Sequence, residues 1–131
     1  MPEAGLDALR CLLEALNRGD VSGAIAELDP EIEFEDTDVP DVDVGRGHEA
    51  FRGWVAQWGE SWASWRFEDV VIRPAGDESA VALFRMIAAG GSSGIELGRD
   101  DAVVAKFRDG RVVNLVYYND QATALTAAGL E

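Results

Sequence analysis

The segment Glu31-Ile32-Glu33-Phe34-Glu35-Asp36 changes the hydrophobic period of the chain from that of a helix to that of a strand. At a period of two, Ile32, Phe34 and Asp36 share one face of the predicted strand, and the three glutamates share the other. A strand with one apolar and one charged face covers a core on one side only. We therefore expect Asp36 to point inward, where the apolar side chains point.

Upstream of this strand the apolar spacing is helical. Leucines recur at intervals of three and four as far as Gly19, which predicts a first helix over residues 3–18. Asp20 is a suitable N-cap for a second helix, which extends to Leu28 and is closed by Asp29-Pro30. Cys11 lies among the leucines and has no second cysteine to pair with, so we interpret it as a buried structural thiol.

Downstream of the strand, the acidic segment 37–47 contains proline and glycine and is predicted to be a loop. A stripe of aromatic residues predicts a third helix over 48–61. Further strands are predicted at 65–73, 80–88, 95–108 and 111–119, with Asp109-Gly110 as a hairpin turn, and a short last helix at 120–128. Helices followed by a strand meander predict an α+β fold with a helical layer packed on one sheet.

The composition excludes several classes of function. A chain of 131 residues with 47% hydrophobic residues is expected to form one domain over residues 1–131. The net charge of −14, with scattered basic residues, argues against binding nucleic acid or a membrane surface. No apolar segment is long enough to span a membrane and no signal peptide is recognisable, so a cytoplasmic location is expected.

Metal and cofactor sites are not expected either. No cysteine and histidine spacing is typical of zinc. The acidic residues that begin at Asp36 lack the glycine and glutamate that a calcium-binding EF-hand requires at the positions of Asp41 and Gly47. We interpret this segment as a solvated loop.

Five short motifs, in order along almost the whole chain, carry a resemblance to a known family. They are Leu16-Asn17-Arg18-Gly19-Asp20, Leu28-Asp29-Pro30-Glu31-Ile32-Glu33-Phe34, Arg46-Gly47-His48-Glu49-Ala50, Phe107-Arg108-Asp109-Gly110-Arg111-Val112 and Ala124-Leu125-Thr126-Ala127-Ala128-Gly129-Leu130. The chain resembles the SnoaL-like branch of the nuclear transport factor 2-like superfamily, which also includes ketosteroid isomerases and limonene epoxide hydrolase. The resemblance implies a cone-shaped, strongly curved antiparallel sheet, with three N-terminal helices closing a pocket, a short C-terminal helix and frequent homodimerisation.

The resemblance also allows the chemistry of this superfamily to be tested on single residues. The isomerase pattern places its proton-shuttling aspartate on Asp36, but its two oxyanion donors fall on Leu12 and Val103. The epoxide hydrolase pattern matches its arginine to Arg85, but its acidic positions fall near Ile87 and Tyr117. Neither standard reaction is therefore expected.

Three polar positions, Arg85, Asp101 and Tyr117, are assigned to the pocket from strand patterns. Arg85 interrupts an apolar strand, so it is expected either to pair with Asp36 or Asp101 or to clamp a substrate. Asp101 shares strand parity with Val103, and the parity of Tyr117 with Leu115 favours it over Tyr118 as the inward tyrosine.

The tryptophans and the single histidine can belong either to a ligand site or to the packing of the fold. Trp54 and Trp58 either line a ring-shaped ligand or form plain core, whereas Trp62 is interpreted as packing. His48, at the start of a helix, is interpreted as part of a folding motif. The candidate site thus has Asp36 as general base and the following ligand-binding residues: Phe34, Trp54, Trp58, Arg85, Asp101 and Tyr117.

The leading hypothesis is a pocket protein that acts without a cofactor on a small hydrophobic or cyclic molecule, as an isomerase, cyclase, dehydratase or hydrolase. The alternative is a non-catalytic ligand-binding or dimerisation module, favoured by the missing oxyanion donors. An open pocket with Asp36 on its wall favours the first, and a cavity filled by Trp54, Trp58 and Met86 favours the second.

Overall fold

Helices and strands account for most of the chain in the computed structural model, which describes residues 2–37, 45–62, 64–90 and 95–130. In chain order the elements are α1 (Pro2–Asn17), α2 (Val21–Ile25), β1 (Leu28–Asp36), β2 (Gly45–Arg46), α3 (Gly47–Ser61), β3 (Ser64–Pro74), β4 (Ser79–Ala89), β5 (Glu96–Arg108), β6 (Arg111–Tyr118) and α4 (Gln121–Ala128). Residues 38–44 of the predicted acidic loop, and with them most of the calcium-like segment, lie outside the described residues.

The strands form one curved, unclosed sheet in the order β2-β1-β6-β5-β4-β3. Strands β3 to β6 form an antiparallel meander, and β2 is antiparallel to β1. Strand β1 pairs with β6 in parallel, which the sequence did not indicate. Parallel neighbours need a long connection between them, and here the segment from β2 to β5 provides it. The predicted α+β cone with a short C-terminal helix is confirmed.

The second helix is shorter than the sequence predicts. Asp20 does cap it, since the backbone N–H of Gly23 donates to Asp20 Oδ1 at 2.9 Å. The helix ends at Ile25 because Leu28 already belongs to β1, where it is buried and pairs with Val112 of β6. Sheet pairing and burial at Leu28 thus prevail over a further helical turn.

The main core lies between one face of the sheet and helices α1 and α3. Leu9 and Leu12 of α1 and Phe51 of α3 are fully buried. Cys11 is exposed, so its interpretation as a buried thiol is wrong. It lies two positions from Leu9, about 200° around the helix, and therefore faces away from the buried stripe.

A second, smaller core lies on the opposite face of the sheet. Helix α4 packs against β4 and β5 and brings Ala124 against Val81 and Val104. Gly129 ends this helix in the left-handed conformation, at φ 78°. None of the helices described is long and apolar enough to cross a membrane.

Candidate functional site

A pocket of about 510 Å³ opens where α3 ends beside the ends of four strands; we call it the mouth pocket. Its polar wall consists of Asp36, Arg99 and Tyr117. The remaining lining residues are Trp58, Trp62, Met86, Ala88, Leu97 and Gly98. A cavity of this size with mostly apolar walls and a few convergent polar groups is typical of small-molecule sites.

Asp36 and Tyr117 are brought together by strand pairing. They are register partners in the parallel pair β1–β6, and paired residues lie about 5 Å apart with their side chains on the same face. The pairing continues into Thr37, whose backbone N–H and Oγ1 both donate to the carbonyl oxygen of Tyr117, at 3.0 and 2.8 Å. Ile32 and Phe34 share the face of Asp36 and are buried, so Asp36 lies at the border between core and pocket.

Behind the pocket wall lies Asp101, whose side chain is 0% exposed. Tyr117 Oη donates to Asp101 Oδ2 at 2.6 Å. Arg99 donates to the same carboxylate through two nitrogens, Nε to Oδ1 at 2.6 Å and Nη2 to Oδ2 at 3.1 Å. Two parallel hydrogen bonds between a guanidinium and a carboxylate fix both groups. Asp101 therefore holds Arg99 and Tyr117 in position on the pocket wall.

The hydroxyl of Tyr117 remains protonated in this setting. Burial and the hydrogen bond to Asp101 raise the pKa of Tyr117 far above its ordinary value. The negative charges of Asp101 and Asp36 act in the same direction, and the positive charge of Arg99 opposes them. Tyr117 is thus a neutral group whose proton is engaged by Asp101, and it is unsuited to act as a base.

Arg99 and Trp62 also line the mouth pocket, although the sequence patterns do not assign them to a site. Arg99 lies two positions before Asp101, so the strand parity that turned Asp101 inward also indicates Arg99. Its side chain is 50% exposed, and it brings a positive charge to the pocket. Trp62 lines the pocket beyond the end of α3, so its interpretation as packing alone is wrong.

Arg85 lies on the other face of the sheet, and its assignment to the pocket is wrong. It is exposed, and Arg85 Nη1 donates to Asp100 Oδ1 at 3.1 Å on the neighbouring strand. Phe84 and Met86, with the opposite parity, face the main core. The sequence does not show which face of β4 points inward, because Val81 shares the face of Arg85 and is also buried, beneath α4.

Phe34 and Trp54 lie in the core behind the mouth pocket and not on its wall. Their rings are stacked with centroids 4.9 Å apart, and Phe51 meets Phe34 edge to face at 5.4 Å. Trp54 lines a separate cavity of about 20 Å³, which we call the inner void. Among the predicted ligand contacts, Trp58 and Tyr117 line the mouth pocket, and Asp101 adjoins it through both Arg99 and Tyr117.

Two other features are separate from the site. A depression of about 790 Å³ lies at the opposite ends of the strands, and its lining includes Phe107 and the acidic residues Asp77, Glu78 and Asp109. His48 Nε2 lies 3.2 Å from the carbonyl oxygen of Leu28 and so links the start of α3 to β1. Within the described residues, no group of three or more histidine, cysteine, aspartate or glutamate side chains is arranged to hold a metal ion.

Comparisons with known proteins give the fold and the family. A candidate polyketide cyclase from Xanthomonas campestris pv. campestris is 15% identical, with a TM-score of 0.80 over 97% of this chain and 98% of its own. An NTF2-like protein of unknown function from Burkholderia pseudomallei is 21% identical, with a TM-score of 0.78 over 94% of this chain and 95% of its own. TerC, co-crystallised with polyporic acid, is 13% identical, with a TM-score of 0.79 over 96% and 98% of the two chains.

Similarity at these identities establishes the fold, whereas the family is established by sequence. No curated protein is similar enough in sequence to count as a relative. The family model of the SnoaL-like domain matches residues 9–115, which is most of the chain. The chain therefore belongs to the SnoaL-like domain family.

Proposed function

We propose that the mouth pocket binds a small cyclic molecule that carries a carbonyl group, and that Asp36 removes a proton from the carbon next to that carbonyl. The observation that carries this proposal is the placement of Asp36 and Arg99 on the wall of one aromatic pocket. Removal of such a proton requires a base and a donor for the enolate oxygen that forms. Asp36 is suited to the first role and Arg99 to the second.

In the proposed step, the C–H bond breaks, the proton passes to a carboxylate oxygen of Asp36, and the electron pair forms the enolate. Asp36 then returns the proton, either to another carbon, which completes an isomerisation, or to an oxygen after the enolate carbon has attacked a second carbonyl, which completes a ring closure. Both outcomes need one base and one oxyanion donor. Neither needs a cofactor.

The charges around the pocket suit a reaction of this kind. Asp101 offsets the charge of Arg99, so a neutral ligand is accepted without an excess positive charge on the wall. When Asp36 takes up a proton, its negative charge is transferred to the ligand oxygen, and the total charge of the site does not change. Arg99, already fixed by Asp101, stabilises the enolate more than the neutral ketone, which is the condition for catalysis.

The aromatic lining of the pocket favours a flat ligand. Trp58 and Trp62 contribute two indole rings to its lining, and aromatic faces bind planar rings well. Two of the structurally similar proteins support the same class, since one is a candidate polyketide cyclase and the other was crystallised with polyporic acid.

The proposal is tested with 2-tetralone, a cyclic ketone fused to a benzene ring, with acidic protons next to its carbonyl. The exchange of these protons with D₂O is followed by NMR in the presence of the protein. We expect Asp36→Asn to lower the protein-dependent exchange rate at least about 100-fold, as for loss of a general base. Arg99→Gln is expected to lower it about 100-fold or more, as for loss of an oxyanion donor.

Glu35→Gln is the matched control, because it removes one negative charge from the exposed face of the same strand. Its exchange rate should equal that of the unaltered protein. Equal rates for Asp36→Asn and the unaltered protein would contradict the role of Asp36. Binding of 2-tetralone without any protein-dependent exchange would support the non-catalytic binding module instead.

We also propose that the chain forms a homodimer through the face of the sheet opposite the main core. Val71 pairs with Leu83 on that face and is 54% exposed. A partly uncovered apolar face of this kind is typical of an interaction surface. Size-exclusion chromatography with light scattering should give twice the mass of the chain, and a monomer at micromolar concentration would contradict the proposal.

A further inference from the structure

The mouth pocket and the inner void are adjacent spaces separated by side chains. Trp58 and Tyr117 line both of them. Their rings meet edge to face with centroids 5.4 Å apart. These two residues therefore form the partition between the two spaces.

The two halves of the partition are held differently. Tyr117 is almost fully buried and is fixed by its hydrogen bond to the buried Asp101. Trp58 is partly exposed and is held by edge-to-face contacts with Trp54 at 5.4 Å and Trp65 at 5.1 Å. Trp58 is thus the half of the partition that a substitution can remove without breaking the polar network of the site.

Beyond the partition, the space is apolar. The inner void is bordered by Leu12, Leu16, Val103 and Leu115, together with aromatic rings. Among the side chains that line it, the polar groups are the hydroxyl of Tyr117 and the indole N–H groups of Trp54 and Trp58, and the rest offer contacts to a hydrocarbon group. A ligand group that reached this space would have to be apolar.

We propose that Trp58 determines ligand length by closing the mouth pocket at its inner end. This inference rests on the proposed function, because it assumes that ligands bind in the mouth pocket. The unaltered protein then accepts compact ring systems, whereas removal of the indole joins the two spaces and admits a longer ligand with an apolar end. Trp58 is a specificity-determining residue in this account, and it takes no part in proton transfer.

The test compares two probes, 2-naphthol and 6-phenyl-2-naphthol, by isothermal titration calorimetry. In the unaltered protein the extra phenyl ring remains in solvent, so the two dissociation constants should agree within about threefold. In Trp58→Ala the ring enters the inner space, and preference for the longer probe should rise about tenfold, which corresponds to about 1.4 kcal/mol. Trp58→Leu, which keeps an apolar side chain, should shift the preference in the same direction by a smaller factor.

Trp62→Ala is the matched control, since Trp62 lines the mouth pocket but not the inner void. This variant should bind both probes more weakly, without a change in the preference between them. An unchanged preference in Trp58→Ala and Trp58→Leu, with 2-naphthol still bound, would overturn the role of Trp58 alone. If Trp58→Ala does not fold, the result for Trp58→Leu decides. Failure of the unaltered protein and every variant to bind either probe would overturn the proposed function and this inference together.

Discussion

The mouth pocket and the inner void differ in their size and in the polarity of the side chains that line them. The inner void, of about 20 Å³, is what remains after leucine, phenylalanine and tryptophan side chains fill the interior. The mouth pocket, of about 510 Å³, has Asp36 and Arg99 on its wall. Leu12 and Val103, the positions where the isomerase pattern requires oxyanion donors, both border the inner void. Leucine and valine side chains offer no hydrogen-bond donor at these two positions, whereas Arg99 places a guanidinium group on the wall of the mouth pocket.

The largest expected effect is on stability, at the inner end. Phe51 is fully buried and packs against both Phe34 and Trp54, so Phe51→Ala should lower the free energy of unfolding by about 3–5 kcal/mol. Trp62→Ala, at the half-buried mouth, should lower it by only about 1 kcal/mol although it removes a larger ring. Urea unfolding followed by circular dichroism measures both. Equal losses would remove the distinction between a structural interior and a functional mouth.

The next largest effect is the difference in stability expected between variants of two neighbouring aspartates on opposite faces of β5. Asp101 is buried and accepts hydrogen bonds from Arg99 and Tyr117. In Asp101→Asn the amide NH₂ group cannot accept a hydrogen bond, so one of these donors loses its acceptor. The free energy of unfolding should fall by about 1–3 kcal/mol. Asp100 pairs with Arg85 in solvent, and Asp100→Asn should cost less than about 1 kcal/mol. The same unfolding measurement checks both variants. A larger loss at Asp100 would contradict the structural role of Asp101.

A smaller effect depends on pH. The folded protein keeps the Tyr117 proton above about pH 10, where the unfolded chain releases it, because burial raises the pKa of this phenol. The stability that this group contributes is complete below about pH 10 and falls above it by up to about 1.4 kcal/mol per pH unit. Tyr117→Phe should lose stability less steeply between about pH 10 and 11, as measured by urea unfolding. Identical slopes would show that Tyr117 ionises as freely in the folded protein as in the unfolded chain.

The smallest effect is expected at Arg85, which lies outside the pocket. Arg85→Gln should leave the dissociation constant of 2-naphthol unchanged, because its guanidinium pairs with Asp100 on the other face of the sheet. Arg99→Gln is the matched comparison and should weaken binding, since Arg99 lines the pocket. A weaker affinity in Arg85→Gln alone would restore the sequence-based assignment of Arg85.

Sequence patterns predicted the elements well wherever the two faces of a segment differ. The alternation that ends at Asp36 contrasts glutamate with apolar residues, and the structure places Ile32 and Phe34 in the core as that contrast requires. Tyr117 likewise follows Leu115 inward. A boundary was missed at Leu28, because pairing with a strand from the far end of the chain is not visible in the local sequence.

The residues of the candidate site were harder to predict. Which face of a strand points inward depends on the other elements that cover it, and the local sequence does not show these. Strand β4 is apolar on both faces, since α4 covers part of the outer one, so the parity of Arg85 could not be resolved from sequence. Arg99 could have been found from its parity with Asp101, but the polar start of β5 resembles a solvated segment. The bidentate bond between them depends on side-chain geometry that no spacing encodes.

A crystal structure of the protein with 2-naphthol bound would show directly whether the mouth pocket is the ligand site. The rings should lie against Trp58 and Trp62, with the hydroxyl within hydrogen-bond distance of Arg99 or Asp36. Density for the probe only in the depression formed by Asp77, Glu78 and Asp109, with the mouth pocket containing water alone, would contradict this expectation.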